Sequence, residues 1–240
     1  MADNTKPKGK LFLIPTTLGD NEPLEVLPIS IKRTIEGIDH YIVENEKSAR
    51  RFIKKISPRK SQPGLLIEVL NKYTEPEAVP AFLRPCLEGL DVGVLSEAGC
   101  PGIADPGADV IKIAHQKSIQ VVPLVGPSSI VLALMASGLN GQNFAFNGYL
   151  PIESTERKKV IKSLEKKSIS LGQSQIFIET PYRNDKLLAE ILKILSNRTQ
   201  LCIACDLTLS SEYIATKSIT DWKNTLPDLN KRPAIFIIQG

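Results

Sequence analysis

Short apolar runs alternate with amphipathic segments along the first half of this 240-residue chain. Residues 11–15, 38–43 and 92–95 have the length and composition of buried strands, and residues 48–56 carry apolar side chains at helical spacing. Alternation of strand and helix predicts a parallel sheet flanked by helices. The pattern therefore constrains the first half of the chain to an α/β fold.

The segment 95–109 interrupts this regular pattern with an unusual density of glycine and proline. Five such residues fall within nine positions: Gly99, Pro101, Gly102, Pro106 and Gly107. They exclude regular secondary structure, and the segment directly follows a predicted strand. Loops at the carboxyl ends of parallel strands hold ligands in open α/β sheets. A ligand loop is therefore predicted here; the alternative is an ordinary strand-to-helix turn, although such turns usually have ~2–6 residues.

The second half of the chain predicts a second α/β domain. Apolar runs at 144–150, 174–179, 199–207, 212–216 and 234–238 indicate strands, and short links between the late strands favour a mixed sheet. We expect a disordered tail at 1–10, an N-terminal domain at 11–125 and a C-terminal domain at 126–240. We also expect helices at 26–35, 130–137 (apolar and buried), 154–167 (basic on its outer face) and 221–226 (capped by Thr220).

Composition indicates a globular protein of a reducing compartment. No apolar run reaches the ~18 residues of a membrane span, and the polar, basic N-terminus lacks a signal-peptide core, so we expect a cytoplasmic protein without membrane attachment. Cys202 and Cys205 lie three apart on a predicted strand, where they point to opposite faces and cannot readily share a metal or form a disulfide. We therefore expect buried thiols and no metal site.

The sequence lacks the GxGxxG, GxxxxGK[ST] and GxSxG patterns. Their absence argues against dinucleotide binding, P-loop hydrolysis and nucleophile-elbow chemistry by those routes. Spacing and composition alone therefore predict an α/β protein that binds a small ligand, and no more specific function.

Residues 96–107 read Ser-Glu-Ala-Gly-Cys-Pro-Gly-Ile-Ala-Asp-Pro-Gly. They closely resemble the Ser-Asp-Ala-Gly-Thr-Pro-x-x-Ser-Asp-Pro-Gly loop of the tetrapyrrole methylase superfamily. Four further matches follow the family's order: Thr-Thr-Leu-Gly-Asp at 16–20, Val-Gly-Pro-Ser-Ser at 125–129, Asn-Gly-Tyr-Leu-Pro at 147–151 and Glu-Thr-Pro-Tyr-Arg at 179–183. The resemblance extends from residue 11 to the end of the chain. It is strongest to the branch that methylates ribose 2′-hydroxyls of small-subunit ribosomal RNA.

The resemblance implies an S-adenosylmethionine-dependent methyltransferase of two α/β domains, a homodimer, with the cofactor in the cleft between the domains. The positions it implies at the cofactor are Thr16, Glu97, Ala98, Gly99, Pro101, Ile103, Ala104, Asp105, Ser128, Ser129, Asn147 and Tyr149. Catalytic or acceptor-side roles are implied for Glu44, Arg183, Asp206 and Glu212. Each of these four also has a structural alternative: Glu44 at a helix N-terminus, Arg183 in a cap or ion pair, and Asp206 and Glu212 as surface carboxylates.

The chain departs from the family on the acceptor side. Glu44-Asn45-Glu46-Lys47 stands where the family has Glu-Asp-Thr-Arg, and residues 204–209 lack the family's arginine and lysine. A small-molecule (tetrapyrrole-like) methyltransferase and a cofactor-binding regulator without catalysis therefore stay open beside an RNA methyltransferase.

Positive charge is clustered although the formal net charge is only +4. Residues 47–60 hold seven basic residues and no acid, and residues 157–167 hold six against Glu165. Such clusters suit RNA, or simply form solvated helix faces. We expect both helices to contact RNA.

Overall fold

The computed structural model describes residues 7–240, which form two compact units, one ending at Ser128 and the other comprising Ser129–Gly240. Most of the predicted tail, residues 1–6, lies outside the described part. The rest is held in place, because the Gly9 amide donates to the Cys86 carbonyl at 2.8 Å and the Lys10 amide to Asp91 Oδ1 at 2.7 Å. Residues 9 and 10 are therefore ordered parts of the first unit.

The first unit alternates strands and helices as predicted. Its elements are β1 (Leu11–Ile14), α1 (Pro23–Val26), α2 (Ile29–Gly37), β2 (His40–Val43), α3 (Glu46–Ile56), β3 (Leu66–Val69), a 3₁₀ turn (Val79–Leu83), α4 (Arg84–Leu87), β4 (Val92–Leu95), α5 (Gly107–Gln116) and β5 (Val121–Pro123). The five strands pair in the order β3-β2-β4-β1-β5, and every pairing is parallel. The prediction of a parallel, helix-flanked sheet is confirmed.

Both faces of this sheet are buried. Tyr41 and Val43 pack on one face with residues of α2 and α3, whereas Ile42 packs on the other with the 3₁₀ turn and α5. Successive strand residues point to opposite faces, so β2 is apolar at nearly every position. This burial fixes the strand ends that carry the candidate site.

The predicted helix at 26–35 is wrong in its boundaries because Pro28 lies inside it. Proline lacks the amide proton of a helix interior and forces the residue before it out of the helical region. α1 accordingly ends at Val26, Leu27 is extended, and α2 begins at Ile29.

The second unit has a mixed sheet, as predicted. Its elements are α6 (Ser129–Ser137), β6 (Phe144–Tyr149), α7 (Ser154–Leu171), β7 (Ser174–Ile178), a 3₁₀ turn (Pro181–Arg183), α8 (Asn184–Ile194), β8 (Gln200–Cys205), β9 (Tyr213–Ser218), α9 (Ile219–Trp222) and β10 (Ala234–Gln239). The strand order is β6-β7-β10-β8-β9; β6 and β7 are parallel and the remaining pairs are antiparallel. The core contains Trp222 and the stacked rings of Phe177 and Phe236.

Three helix predictions in the second unit need correction. α7 continues past Lys167 to Leu171 and ends at Gly172, which has a left-handed φ of 57°. The short late helix is capped by Ser218, whose hydroxyl accepts from the Asp221 amide, and Thr220 lies within the helix. α6 is not buried throughout, because Val131 and Met135 are 50% and 75% exposed.

Cys202 and Cys205 both lie on β8 and are buried as free thiols, as the spacing indicates. No helix within residues 7–240 combines the length and apolarity that crossing a membrane requires. The same residues contain no group of three or more His, Cys, Asp or Glu side chains arranged to hold a metal ion.

Candidate functional site

The carboxyl ends of four neighbouring strands meet along one edge of the first sheet. β1 and β4 end in register at Ile14 and Leu95, and β2 and β3 end in register at Val43 and Val69. The segments that follow therefore lie side by side: residues 16–20, 44–45, 70–74 and 96–105. This edge brings together the predicted Thr16, Glu44 and glycine-rich loop.

The loop after β4 is held in shape by its own side chains. The Ser96 hydroxyl donates to the Gly99 carbonyl at 2.7 Å. The Asp105 carboxylate accepts from the Gly102 amide at 2.9 Å and from the Gly107 amide at 2.8 Å. Gly99, Gly102 and Ala104 have φ values of 74°, 84° and 60°, the left-handed region that glycine adopts without strain. Hydrogen bonds within the loop therefore set its shape.

The predicted cofactor residues of this loop fall into two groups: those that hold the loop in shape and those that are exposed to a ligand. Asp105 and Gly99 hold the loop together. Thr16, in the segment after β1, supports the loop, since its buried hydroxyl donates to the Ser96 carbonyl at 3.2 Å. Pro101 is buried. The exposed positions, which a ligand could touch, are Glu97, Ala98, Ile103 and Ala104.

Replacing Asp105 by Ala is expected to lower the free energy of unfolding by about 1–3 kcal/mol, because two amides lose their acceptor. Burial raises the pKa of this carboxyl, and the two amide hydrogen bonds oppose that rise. Asp105→Asn keeps one acceptor oxygen and should cost less. Urea denaturation monitored by circular dichroism measures both variants; equal stability of Asp105→Ala and the wild type would contradict the bracing role.

Glu44 lies at the end of β2, half-buried, against the loop. Its Oε1 accepts from the Glu97 amide at 3.3 Å. Burial raises the pKa of Glu44, the hydrogen bond from Glu97 lowers it, and the negative charges of Asp105 and Glu97 raise it further. Within residues 7–240 no hydrogen bond or ion pair engages its second oxygen. Glu44 is thus a carboxylate with increased proton affinity, and one of its oxygens is free to accept a proton.

The residues beside Glu44 have structural roles. Asn45 caps α3, because its Oδ1 accepts from the Lys47 and Ser48 amides at 2.9 and 3.2 Å. Glu46 pairs with Arg50 one turn later at 2.7 Å. Ser48 donates to Glu97 Oε1 at 2.6 Å, which orients the second carboxylate of the loop edge.

The hollows that adjoin this edge of the first unit include two large ones. The smaller, about 350 Å³, lies between the loop after β1 and α3 and includes Thr16 and Glu97. The larger is an open cleft of about 900 Å³ that also includes Glu97. Its other walls come from the end of β2, the segment after β3 and one face of α5: Glu44, Asn45, Leu70, Asn71, Lys72, Tyr73, Thr74, Pro76, Val79, Pro106, Asp109, Lys112, Ile113 and Gln116.

Sequence reasoning missed the segment after β3, which gives this cleft a wall. Asn71, Lys72 and Tyr73 directly follow a strand of the parallel sheet. Their position could have predicted a ligand contact, because residues at the carboxyl end of a parallel strand lie at the edge of the sheet where ligands bind.

The predicted site residues of the second unit also lie together at one end of its sheet. Tyr149 pairs with Ile178, Ala234 with Cys205, and Cys205 with Tyr213, so the segments beyond these residues share that end. Arg183, Asp206 and Glu212 all lie in those segments. Ser129 instead begins α6, and Ser128 is the last residue of the first unit.

Asp206 and Glu212 brace the loop between β8 and β9. Asp206 Oδ2 accepts from Arg232 Nε at 2.7 Å and from the Ser211 hydroxyl at 2.9 Å. Glu212 Oε2 accepts from the Thr208 amide at 2.8 Å. Asp206 and Thr208 have positive φ values of 52° and 73°, so the two carboxylates hold a strained loop. These contacts favour structural roles for both residues, although Asp206 is buried and is not the surface carboxylate of the stated alternative.

Arg183 and Asn147 are likewise engaged within the second unit. Arg183 Nη2 donates to the buried Glu179 carboxylate at 2.6 Å, while its Nε is buried without a partner in the described part of the chain. The Asn147 amide donates to Gln175 Oε1 at 3.1 Å and to the Ile176 carbonyl at 3.2 Å, across an irregular stretch of the β6–β7 pairing. Tyr149 is 57% exposed and open to a ligand.

The two basic clusters are less free than their composition indicates. Arg50, Lys55 and Lys60 in the first cluster pair with carboxylates. Arg157, expected on the outer face of α7, is buried and pairs with Glu190 at 2.7 Å. Lys159 pairs with Glu156 at 2.7 Å. The exposed cations that remain on the two clusters are Lys47, Arg51, Lys54, Arg59, Lys158, Lys162, Lys166 and Lys167.

The chain is similar in sequence to ribosomal RNA small subunit methyltransferases I. It is 29% identical to that of Vibrio cholerae over 246 residues, which cover all of this chain and 81% of the relative. It is 25% identical to that of Escherichia coli O157:H7 over 242 residues, which cover 100% of this chain and 80% of the relative. No family model matches the chain.

Solved structures share the fold at low sequence identity. The methyltransferase CobJ superposes with a TM-score of 0.65 at 14% identity and covers 97% of this chain and 94% of its own. Cobalt precorrin-4 methyltransferase CbiF gives 0.60 at 15% identity, with 96% and 94% covered. The chain therefore has the fold of the tetrapyrrole methylases, and its loop after β4 resembles the glycine- and proline-rich loop of that family. Its sequence similarity to the ribosomal RNA small subunit methyltransferases I extends over the whole chain.

Proposed function

We propose that this chain is an S-adenosylmethionine-dependent methyltransferase that acts on RNA of the small ribosomal subunit, with a ribose 2′-hydroxyl as acceptor. The observation that carries the proposal is its similarity over its full length to proteins of that name. A ribosomal substrate would place its activity in the cytoplasm. The resemblance to the tetrapyrrole methylases supports methyl transfer. The proposed acceptor is the one that the ribosomal RNA branch of that family implies.

The edge of the first sheet fits the cofactor in charge and shape. S-adenosylmethionine carries a sulfonium and an ammonium group. At this edge Glu97 and Asp105 lie close enough to Glu44 for their negative charges to raise its pKa. A cationic ligand would relieve that repulsion. Exposed backbone at Ala98 and Ala104 offers peptide donors and acceptors, and Ile103, 49% exposed, offers an apolar surface.

The residues of this chain would position the reactants and accept a proton. The bound cofactor supplies a methyl group activated by its sulfonium. The hydrogen-bonded loop orients the donor before the acceptor arrives, which removes an entropic cost from the transfer step. Glu44 is the proposed acceptor of the hydroxyl proton, because its raised pKa increases its strength as a base and one oxygen is free.

The exposed cations of α3 and α7 support the RNA assignment. Lys47, Arg51 and Lys54 are exposed along α3, and residues 47–60 contain no acidic residue. Phosphate contacts by such residues supply affinity without reading sequence. A homodimer, as the family resemblance implies, would double this surface.

Small ribosomal subunits from a strain that lacks the gene provide the direct test. The purified chain and methyl-labelled cofactor should place label in the small-subunit RNA, at a ribose that resists alkaline cleavage of the adjacent bond. Calorimetry measures cofactor binding in parallel. Binding without label in any RNA would contradict the RNA assignment, and label on a tetrapyrrole would establish the small-molecule alternative that the structural neighbours favour. No cofactor binding would contradict the proposed enzyme class.

A further inference from the structure

The cleft of about 900 Å³ in the first unit is lined by an exposed aromatic ring and two lysines, together with three carboxylates: Glu44, Glu97 and Asp109. Sites for small ligands span ~300–1,000 Å³, so the cleft has room for a nucleotide. Its lining brings together an aromatic ring, two lysines and two side-chain amides: Tyr73, Lys72, Lys112, Asn71 and Gln116. Glu44, the proposed proton acceptor, lines the same cleft.

Tyr73 is an exposed ring on a rigid turn. Its side chain is 78% exposed, yet its amide donates to Asn71 Oδ1 at 2.9 Å. The Thr74 hydroxyl fixes the same turn, because it accepts from the Asn71 amide at 2.9 Å and donates to the Val69 carbonyl at 3.1 Å. The ring is therefore presented to solvent without a packing role in the core, and its backbone needs no reordering to receive a base.

Two cations accompany this ring. Lys72 Nζ lies 4.8 Å from the centroid of the Tyr73 ring, and Lys112 is exposed on the face of α5 that lines the cleft. Within residues 7–240 neither lysine has a carboxylate partner. Lysines free of carboxylates beside an exposed aromatic ring are what an unpaired nucleotide requires: phosphate neutralisation and a stacking surface.

We propose that this cleft binds one unpaired nucleotide of the RNA acceptor, with its base stacked on Tyr73 and its flanking phosphates at Lys72 and Lys112. The inference rests on the proposed function, because it assigns the acceptor side of the same site. Sequence-specific recognition of RNA mostly targets single-stranded segments, whose unstacked bases stack on aromatic side chains. The nucleotide's sugar would then lie towards Glu44.

The test measures binding of a fluorescein-labelled, unstructured RNA oligonucleotide to the full chain by anisotropy. Tyr73→Ala should weaken binding about 5- to 150-fold, the range for loss of one base–aromatic stack, whereas Tyr73→Phe should retain it. Lys112→Gln should flatten the dependence of log affinity on log salt by about 0.7, the contribution of one contact to single-stranded RNA. Lys193→Gln, an exposed lysine on α8, is the matched control and should bind as the wild type does.

Photocrosslinking gives a second readout that does not depend on affinity. An oligonucleotide that contains 5-iodouridine should crosslink to the peptide that contains Tyr73, as mass spectrometry would detect. Unchanged RNA affinity in Tyr73→Ala together with crosslinks confined to other peptides would overturn the proposal. RNA binding through Tyr73 without methylation of ribosomal subunits would support this site while refuting the proposed function. Methylation that survives intact in Tyr73→Ala would refute this site while supporting the function.

Discussion

Replacing Glu44 by Gln is expected to slow methyl transfer about 100- to 10,000-fold, the usual contribution of a positioned general base. The amide oxygen of Gln can still accept from the Glu97 amide, so the loop should keep its shape. Cofactor affinity should therefore change little, and the loss should fall on the rate of transfer. Single-turnover assays with labelled cofactor, together with calorimetry on the same preparation, separate the two quantities.

The pH dependence of the wild-type rate is a second readout of the same group. Only ionised Glu44 can accept a proton, and burial raises the pKa of Glu44. The rate should thus fall on acidification at a higher pH than an ordinary glutamate, with its pKa of about 4.3, would give. Glu44→Gln should lose this limb of the profile.

Glu46→Gln is the matched control for this variant. Glu46 is exposed two residues away and pairs with Arg50 on the surface of α3. Such pairs contribute about 0.3–0.5 kcal/mol, so activity should stay near the wild-type value. A Glu44→Gln variant with nearly normal transfer would refute the role as a base, and loss of cofactor binding would reassign Glu44 to the cofactor.

Replacing Arg157 by Met is expected to reduce the free energy of unfolding by about 3–5 kcal/mol, because it leaves a largely buried carboxylate without its partner. Arg157 Nε and Nη2 donate to the two oxygens of Glu190, each at 2.7 Å, and Nη1 donates to the Ile152 carbonyl at 2.7 Å. The side chains of Arg157 and Glu190 are 4% and 13% exposed. The pair joins the start of α7 to α8, and its loss should loosen both helices.

The pH dependence of this effect has a defined sign. Hydrogen bonds from Arg157 lower the pKa of Glu190. The stability that Glu190 contributes is therefore present above the pKa it has in the unfolded chain, and it is lost as pH falls through its lowered value. The difference between wild type and variant should shrink as the solution is acidified.

Two companion variants make the stability test specific. Lys158→Met changes an exposed neighbour on α7 and should alter stability by less than about 0.5 kcal/mol. Arg157→Met combined with Glu190→Leu removes both charges and should recover most of the loss. Urea denaturation measures all three; an Arg157→Met chain as stable as the Lys158→Met chain would contradict the importance of the pair.

The architecture of the first unit was predictable because its signals are local. Apolar runs that alternate with segments of helical periodicity were enough to predict the parallel sheet. Among its strands, β4 matches its predicted bounds of Val92–Leu95. The split between α1 and α2 was also readable in principle, from Pro28. The exposed face of α6 was not, because an apolar helix looks the same in sequence whether one face or all of it is covered.

The roles of the candidate residues were less predictable because their partners are distant in sequence. Asp206 is held by Arg232, which lies 26 residues away, and Thr16 supports a carbonyl 80 residues away. A motif match identifies such residues without distinguishing loop bracing from ligand contact. Glu44 differs, since burial raises its pKa and the charges of Asp105 and Glu97, in the loop that the motif already identified, raise it further.

The placement of the four cysteines makes the loop after β4 accessible to selective chemical labelling. Cys86, Cys202 and Cys205 are buried, and burial raises the pKa of each thiol, to about 11 for Cys86. Burial raises the pKa of Cys100 as well, but Cys100 alone among the four is partly exposed, with its Sγ 3.4 Å from the Pro127 carbonyl. Because alkylating reagents attack exposed thiolates, modification of the native chain should begin at Cys100. A fluorophore attached there would sit inside the loop and report directly on ligand arrival.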